Sequence, residues 1–330
     1  MLVIYRKISV MNTLLMRSYQ GETDLEAIAK LYEDCERVDQ SSYWTSVEDL
    51  RQFYSSPGFD PALDLRLWEN DQGQLIAVGG LRQSKPGEPP EGFLGFRVHP
   101  QFRGQSLEQD IIAWGTQRLQ DAYQHQPGEI KLRSGCRTEQ HDRVKLLEEW
   151  GFVADRYFFQ MQRDLNQPIP QPQLPAGFVV RTLNAEQEAK AWVEMFNQTF
   201  IDHWNHHDLT MEEYHHYLKN PNYCPNLDLV ATAADGTLAG FCEGQIYPYD
   251  NQRNGRNEGW INLLGTRRGF RQLGLGRAML LTGMQRLKEE GMDIALLGVD
   301  SQNPSGALRL YESIGFQKRH TSISYVKCLG

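Results

Sequence analysis

The sequence predicts an α/β protein of two tandem domains, each a mixed sheet flanked by helices. Three observations carry that prediction. Strand-like and helical stretches alternate, hairpin candidates appear as well and so require a mixed sheet, and landmarks of the first half return roughly 165 residues later.

At 330 residues, with 40% hydrophobic and 23% charged residues, the chain can bury two ordinary cores and reads as globular. Its formal charge of -8 argues against nucleic acid and anionic membrane as partners, since both reward a basic face. The cysteines (Cys35, Cys136, Cys224, Cys242, Cys328) are scattered and form no C-x-x-C pair. Neither a disulfide framework nor a zinc ribbon is expected, and a reducing cytoplasm is the expected location.

The opening MLVIYRKISVMNTLLMRSYQ interrupts its apolar runs with Arg6, Lys7 and Arg17. These apolar runs are too short for a membrane span and no small-residue cleavage site follows them, so no targeting signal is expected, and a start at Met11 would lose little. In the first half, LDLRLWENDQGQLIAVGGLRQ is a hairpin turning at Asp71-Gln72-Gly73, and FRGQSLE (102–108) and LLEEWGF (146–152) come after it. Each has its answer in the second half: LDLVATAADGTLAGFCEGQIYP, turning at Asp235-Gly236, then FRQLGLG (270–276) and LYESIGF (310–316). Between the halves, DLNQPIPQPQLPAG (164–177) combines prolines with polar residues and has no period, which predicts an extended linker. The predicted domains are residues 1–163 and 177–330, joined by 164–176.

Within the second half, GFVVRTL (177–183) reads as a strand. Helices are expected over 185–200 and 210–219, the latter entered through a capping box of Thr210 and Glu213. The hairpin and the strand GWINLLG follow. Leu280, Met284 and Leu287 recur at helical spacing up to Gly291, and IALLGVD (294–300) has the length and apolarity of a buried strand. Pro304 to Ile314 is expected as a short helix with Asn303 at its N-cap, proline first and Gly315 at its end. TSISYVKCL closes as a strand.

Two glycines between two arginines in RQLGLGRAML (271–280) suggest an anion seat at a helix entry. A Walker loop is excluded, because Arg277-Ala278 supplies neither lysine nor a hydroxyl. A dinucleotide-binding loop fits poorly: Met279 stands at its third glycine, and the strand ends too far upstream. The third scheme is a longer loop whose amides from about Leu273 to Arg277 converge at the start of a helix, with Arg271 at its mouth. Arg267, Arg268, Arg271 and Arg277, crowded together in an acidic chain, favour an anion over an empty turn.

From Thr266 to Phe316 the sequence resembles the cofactor-binding core of the GCN5-related N-acetyltransferases (GNAT). That signature is R/Q-x-x-G-x-G/A at a helix entry, then a strand, then N-x-x-A-x-x-x-Y-x-x-x-G-F. Arg271, Gly274, Gly276, Asn303, Ala307, Tyr311, Gly315 and Phe316 meet it in order. The tandem arrangement and DHWNHHDLTMEEYHHYL also resemble the two-domain members of the family. The resemblance implies a mostly antiparallel sheet in each domain, and transfer of an acetyl group from acetyl-CoA to a primary amine of a small molecule or peptide. It implies that Arg271, Gln272, Leu273, Gly274, Leu275, Gly276 and Arg277 hold the pyrophosphate of coenzyme A. A bulge in INLLGT would free backbone groups near Leu264, Gly265 and Thr266 for the pantetheine, with Asn303 and Ala307 as further contacts.

Tyr311 is the implied general acid, a phenol of pKa about 10 matched to a departing thiolate. For the base, several relatives carry a glutamate at the position of Trp260; Glu258 lies two residues earlier on the same strand face and is the expected base, and Glu243 is a second candidate. Cys242 has no evident activating partner, so direct attack by the amine is expected rather than an acetylated cysteine. His203, His206, His207, His215 and His216 cluster, out of nine histidines in the chain. His203 and His207 would be one helical turn apart, but there is no H-E-x-x-H and no cysteine nearby, so no metal is expected. By resemblance, His203 and Trp204 wall the acceptor pocket.

Aligning FRGQSLE with FRQLGLG replaces Gly274 by Ser106 and Gly276 by Glu108, and Leu147 stands where the second half has Tyr311. The first half is therefore expected to keep the fold, to lack transferase activity and to shape or support the other half. Two rival readings are a non-catalytic acyl-CoA sensor and a metal-dependent hydrolase at the histidine cluster.

Overall fold

The computed structural model describes residues 14–303 and 305–330. The readings made on the segment before Leu14 and on Pro304 lie outside the described residues. The chain packs as two compact units, one of residues 14–54, 58–132 and 328–330, the other of 55–57 and 133–327.

The first unit comprises β1 (Leu15–Ser18), α1 (Glu22–Asp39), α2 (Val47–Tyr54), α3 (Pro61–Asp64), β2 (Leu65–Glu69), β3 (Leu75–Gln83), β4 (Glu91–Val98) and α4 (Leu107–Tyr123). Its strands follow one another in antiparallel order β1-β2-β3-β4. Leu25, Ile28, Leu31 and Cys35 form the buried stripe of α1 and pack on Leu65, Leu67 and Val78 of the sheet. The division between units falls inside β5 (Ile130–Arg137), after Leu132.

The second unit continues with α5 (His141–Glu149), β6 (Val153–Asp164), β7 (Val179–Thr182), α6 (Ala189–Phe200), α7 (Met211–Tyr217), β8 (Tyr223–Thr232) and β9 (Leu238–Ile246). Then come α8 (Pro248–Asn254), β10 (Glu258–Thr266), α9 (Leu275–Glu289), β11 (Ile294–Asp300), α10 (Ala307–Ile314) and β12 (Gln317–Leu329). The strand order is β5-β12-β6-β11-β10-β9-β8-β7. The sheet is mixed: β10 and β11 run parallel, while β7, β8, β9 and β10 are antiparallel neighbours. β6, the closing strand of the first half of the sequence, lies between β11 and β12 and is antiparallel to both.

The stretch expected as a linker lies within this unit. After Asp164, the last residue of β6, it has neither helix nor strand, yet Leu165 is fully buried and donates its N–H to Asp293 O, and the Arg163 guanidinium donates to Pro168 O and Ile314 O.

Adjacent residues of β9 point to opposite faces of the sheet. Cys242 lies under α9, where Leu280, Met284 and Leu287 form the expected buried stripe. Phe241 meets Trp192, Phe196 and Phe200 of α6 on the other side. The predicted capping box is present: Thr210 Oγ1 accepts from Glu213 N, and the Glu213 carboxylate accepts from Thr210 N. α10 starts later than expected, at Ala307 with Gly306 (φ 77°) as N-cap. Asn303 is not the cap; its side-chain oxygen accepts from Ser305 N and closes a turn of its own before the helix. Among the described residues, no helix is long and apolar enough to cross a membrane.

Candidate active site

The site begins where two parallel strands part. β10 pairs with β11 from Glu258↔Ile294 to Ile261↔Leu297, and there the pairing ends. Beyond it β10 stays with β9 as far as Thr266↔Gly240, while β11 stays with β6 as far as Asp300↔Phe158. A register shift between Ile261 and Leu263 makes Asn262 the extra residue of a β-bulge at the apex. Arg267 donates its N–H to Ala239 O. Antiparallel pairs bond alternately, so Gly265 and Leu263 turn their amides to β9, and Leu264 and Thr266 turn theirs to the gap. Gly265 serves packing: a Cβ there would lie 2.5 Å from both Phe241 and Thr199.

Below the gap stands the N-terminus of α9. Gln272 (φ 64°) and Gly274 (φ 87°) occupy the left-handed region and turn the chain sharply into the helix. Gly274 is the N-cap and no side chain caps the helix, so the amides of Leu275, Gly276 and Arg277 precede the first intrahelical bond, Ala278 N to Gly274 O. Gly276 lies against Thr266, whose Oγ1 would be 3.3 Å from an added Cβ. Leu275 is buried and anchors the turn, whereas Leu273 is exposed.

The four arginines are already engaged. Arg271 donates to Thr266 O and Thr199 O and pairs with Asp202; Arg268 pairs with Asp202 as well. Arg267 reaches Glu194 and Gln198, and Arg277 donates to Ser313 Oγ. Arg271 is thus a strut that ties the loop to β10 and α6.

Tyr311 on α10 is buried in the same core as Cys242 and Met279, and Ala307 opens that helix against it. Burial pushes the Tyr311 phenol up to about 12. Cys242 is wholly buried, which pushes its thiol upward and keeps it protonated.

On the opposite face lies a group of buried polar side chains that sequence reading reached only in part. Glu243 and Asp228 are cross-strand partners on β9 and β8, 0% and 1% exposed. Tyr217, Asn262 and Gln245 lie against the Glu243 carboxylate and favour its ionised form, but burial outweighs them and raises its pKa. Neither of its oxygens has a partner at full hydrogen-bond geometry, and Asp228 Oδ1 has none either. Asp228 Oδ2 accepts from Tyr223 OH at 2.8 Å; burial, with Glu243 as a like charge, pushes Asp228 up to about 7. Tyr217, Gln245 and Tyr247 are linked by hydrogen bonds beside the pair. The signal for Asp228 was present in LDLVAT, where one carboxylate interrupts a run too apolar for a solvated strand.

Glu258 stands apart. It opens β10, four residues before the bulge or about 13 Å at a strand's rise, and its carboxylate pairs with Arg319 at 2.8 Å.

Residues 201–209 are not helical, so His203 and His207 do not stand one helical turn apart. His203 Nδ1 contacts Trp204 O and His206 contacts Asp208, while His215 and His216 belong to α7. Among the described residues, no group of three or more His, Cys, Asp or Glu is placed to hold a metal. Trp204 lies against β5 and β6, with the guanidinium groups of Arg133 and Arg156 4.8 and 5.4 Å from its ring and Phe158 at 5.7 Å. Arg156 in turn pairs with Asp300 at the end of β11.

The acetyltransferase (GNAT) family profile matches residues 189–316, the stretch that builds this gap and loop. The chain carries a GNAT acetyltransferase domain. Curated relatives span nearly the whole sequence. The mycothiol acetyltransferase of Thermobispora bispora is 29% identical over 302 residues, 92% of this chain and 95% of the relative. That of Acidothermus cellulolyticus is 28% identical over 277 residues, covering 81% of each. Among solved structures, a GCN5-related N-acetyltransferase from Sphaerobacter thermophilus aligns with a TM-score of 0.74 at 24% identity, over 96% of this chain and 95% of that one. A tandem GNAT protein from the clavulanic acid biosynthesis pathway aligns at 0.73 and 13% identity, over 96% and 99%. Residues 189–316 are thus the GNAT acetyltransferase domain, and the chain shares the tandem GNAT fold.

The first half repeats the loop of the GNAT domain with one decisive change. Gly104 (φ 70°) and Ser106 (φ 71°) reproduce the backbone of Gln272 and Gly274, and Arg103 reproduces the Arg271 strut by donating to Val98 O and pairing with Asp39. Glu108, in the place of Gly276, turns back and accepts from Gly104 N. Leu147, in the place of Tyr311, is fully buried and offers no proton.

Proposed function

We propose that the second half of the chain transfers the acetyl group of acetyl-CoA to a primary amine of a small molecule by direct attack, with Tyr311 as acid and Glu243 as base. The parting of β10 and β11 above an uncapped helix carries this reading. It offers free amides for a diphosphate at Leu275 to Arg277 and a free backbone edge at Leu264 and Thr266 for the pantetheine amides. Gly276 supports the fit, since a side chain there would crowd the seat against Thr266. Arg271 and Gln272 shape that seat rather than charge it. The thioester, when bound, supplies an activated acyl carbon and a thiolate leaving group.

Glu243 stands next to the bulge and takes one proton from the substrate ammonium, which frees the nitrogen lone pair. The nitrogen forms its bond to the acyl carbon as the carbon–sulfur bond breaks. Tyr311 gives its phenolic proton to the departing sulfur, and the second proton shed by the nitrogen restores the phenol. Glu243 returns its proton to solvent. Glu258 keeps its ion pair with Arg319, four residues before the bulge, and is given no part in the transfer. A small-molecule acceptor is supported by the near full-length likeness to mycothiol acetyltransferases. Trp204, with His203 beside it, forms a wall of the acceptor site, and Asn303 shapes the turn that leads into α10.

A free-thiol assay with acetyl-CoA over a panel of amines tests this. Thiol release with at least one amine is expected, about 100-fold slower in Tyr311→Phe and Glu243→Gln and little changed in Glu258→Gln. Tight binding of acetyl-CoA without thiol release from any amine would make the protein a sensor instead.

A further inference from the structure

A fully buried carboxylate needs a partner, yet Glu243 faces another carboxyl group. The cross-strand register places Asp228 directly opposite, with Cβ atoms about 5 Å apart for such a pair. The titratable groups coupled to the two are Tyr223 and Cys224 on β8, Tyr214 and Tyr217 on α7 and, across the sheet, Cys242 on β9; none of these is a cation. Tyr223 OH satisfies one Asp228 oxygen and the other has no partner, while Tyr217, Asn262 and Gln245 lie against Glu243 without meeting either of its oxygens at full hydrogen-bond geometry. Two negative charges in such a place are costly, so the second ionisation of the pair is deferred.

We propose that Asp228 is a positioning residue for the transfer: it holds the proton of the pair while Glu243 is ionised, and its own ionisation places a second negative charge beside the base. That charge strengthens Glu243 as a proton acceptor and favours the ammonium form of the acceptor at the bulge. The burial of Asp228 and the like charge opposite both defer its ionisation towards neutral pH. The inference rests on Glu243 serving as the base.

The experiment is the pH profile of kcat/KM, measured with acetyl-CoA and the panel amine that turns over fastest, in the parent and in Asp228→Asn. The parent is expected to rise in two steps, one as Glu243 ionises and one near neutrality; Asp228→Asn loses the upper step and is several-fold slower above it. A purely structural Asp228 would lower stability without deleting an ionisation. As a second measurement, carboxyl carbon NMR of labelled aspartate should find Asp228 titrating at lower pH in Glu243→Gln, where the like charge is gone. Superimposable pH profiles, or an Asp228 titration unmoved in Glu243→Gln, would overturn the proposal. Thiol release that is indifferent to Glu243→Gln would instead remove the base assignment on which it rests.

Discussion

Glu108 accepts the Gly104 amide at 3.0 Å, so in the first half a carboxylate of the chain itself sits at the turn that the second half builds from Gln272, Gly274 and Gly276. Its charge and its hydrogen bond both oppose a diphosphate there. Calorimetric titration with coenzyme A should find one site per chain. Gly276→Glu copies the closed loop into the second half and should weaken that site by about 100-fold, equivalent to about 3 kcal/mol. Two sites of similar affinity in the parent protein would sink this account.

Gly283 sits on α9 where the helix meets β9, and a Cβ there would lie 2.4 Å from Cys242 Sγ. Alanine for glycine inside a helix ordinarily gains about 0.5–1 kcal/mol. Here the clash wins, and Gly283→Ala is expected to lose about 1–3 kcal/mol. Urea unfolding measures it, and adding Cys242→Ala should recover part of the loss.

Asp300, 3% exposed, is held by the forked guanidinium of Arg156 at 2.8 to 3.1 Å. Arg156→Met strands a buried charge and should destabilise the fold by about 3 kcal/mol. Asp300→Asn in the same chain should return most of that, because the uncompensated charge is then gone. A mild single variant with no recovery in the double would show that the pair is not coupled.

Asp228 also predicts how stability follows pH. Burial pushes its carboxyl from the ordinary 3.8 up to about 7 in the folded chain. The folded state therefore holds a proton that the unfolded chain gives up, and this residue's contribution falls as pH rises from about 4 to 7 and is level above. Asp228→Asn should gain in Tm relative to the parent across that window. A difference in Tm that is constant from pH 4.5 to 8 would contradict the assignment.

The buried stripe of α9, the Thr210 capping box and the extent of β11 were legible because each depends on neighbours a few residues away in the chain. The loop was legible for a related reason: Gly274 needs a positive φ, and that need is written in the residue itself. α8 escaped notice because its seven residues, Pro248–Asn254, carry no apolar period. Asn303 misled because asparagine before a helix caps it or closes a preceding turn with the same side-chain oxygen.

By itself the sequence determined an α/β chain with the GNAT pattern in its second half, and it offered the anion seat at 271–277 and the acid Tyr311 as expectations. Only the tertiary structure decided that β6 of the first half is laid between β11 and β12, that Glu258 is paired with Arg319, and that Asp228 stands opposite Glu243. The reason is physical: local backbone preference and side-chain period act over a few residues, whereas strand register and the cost of burying charge arise between segments that the chain order keeps far apart.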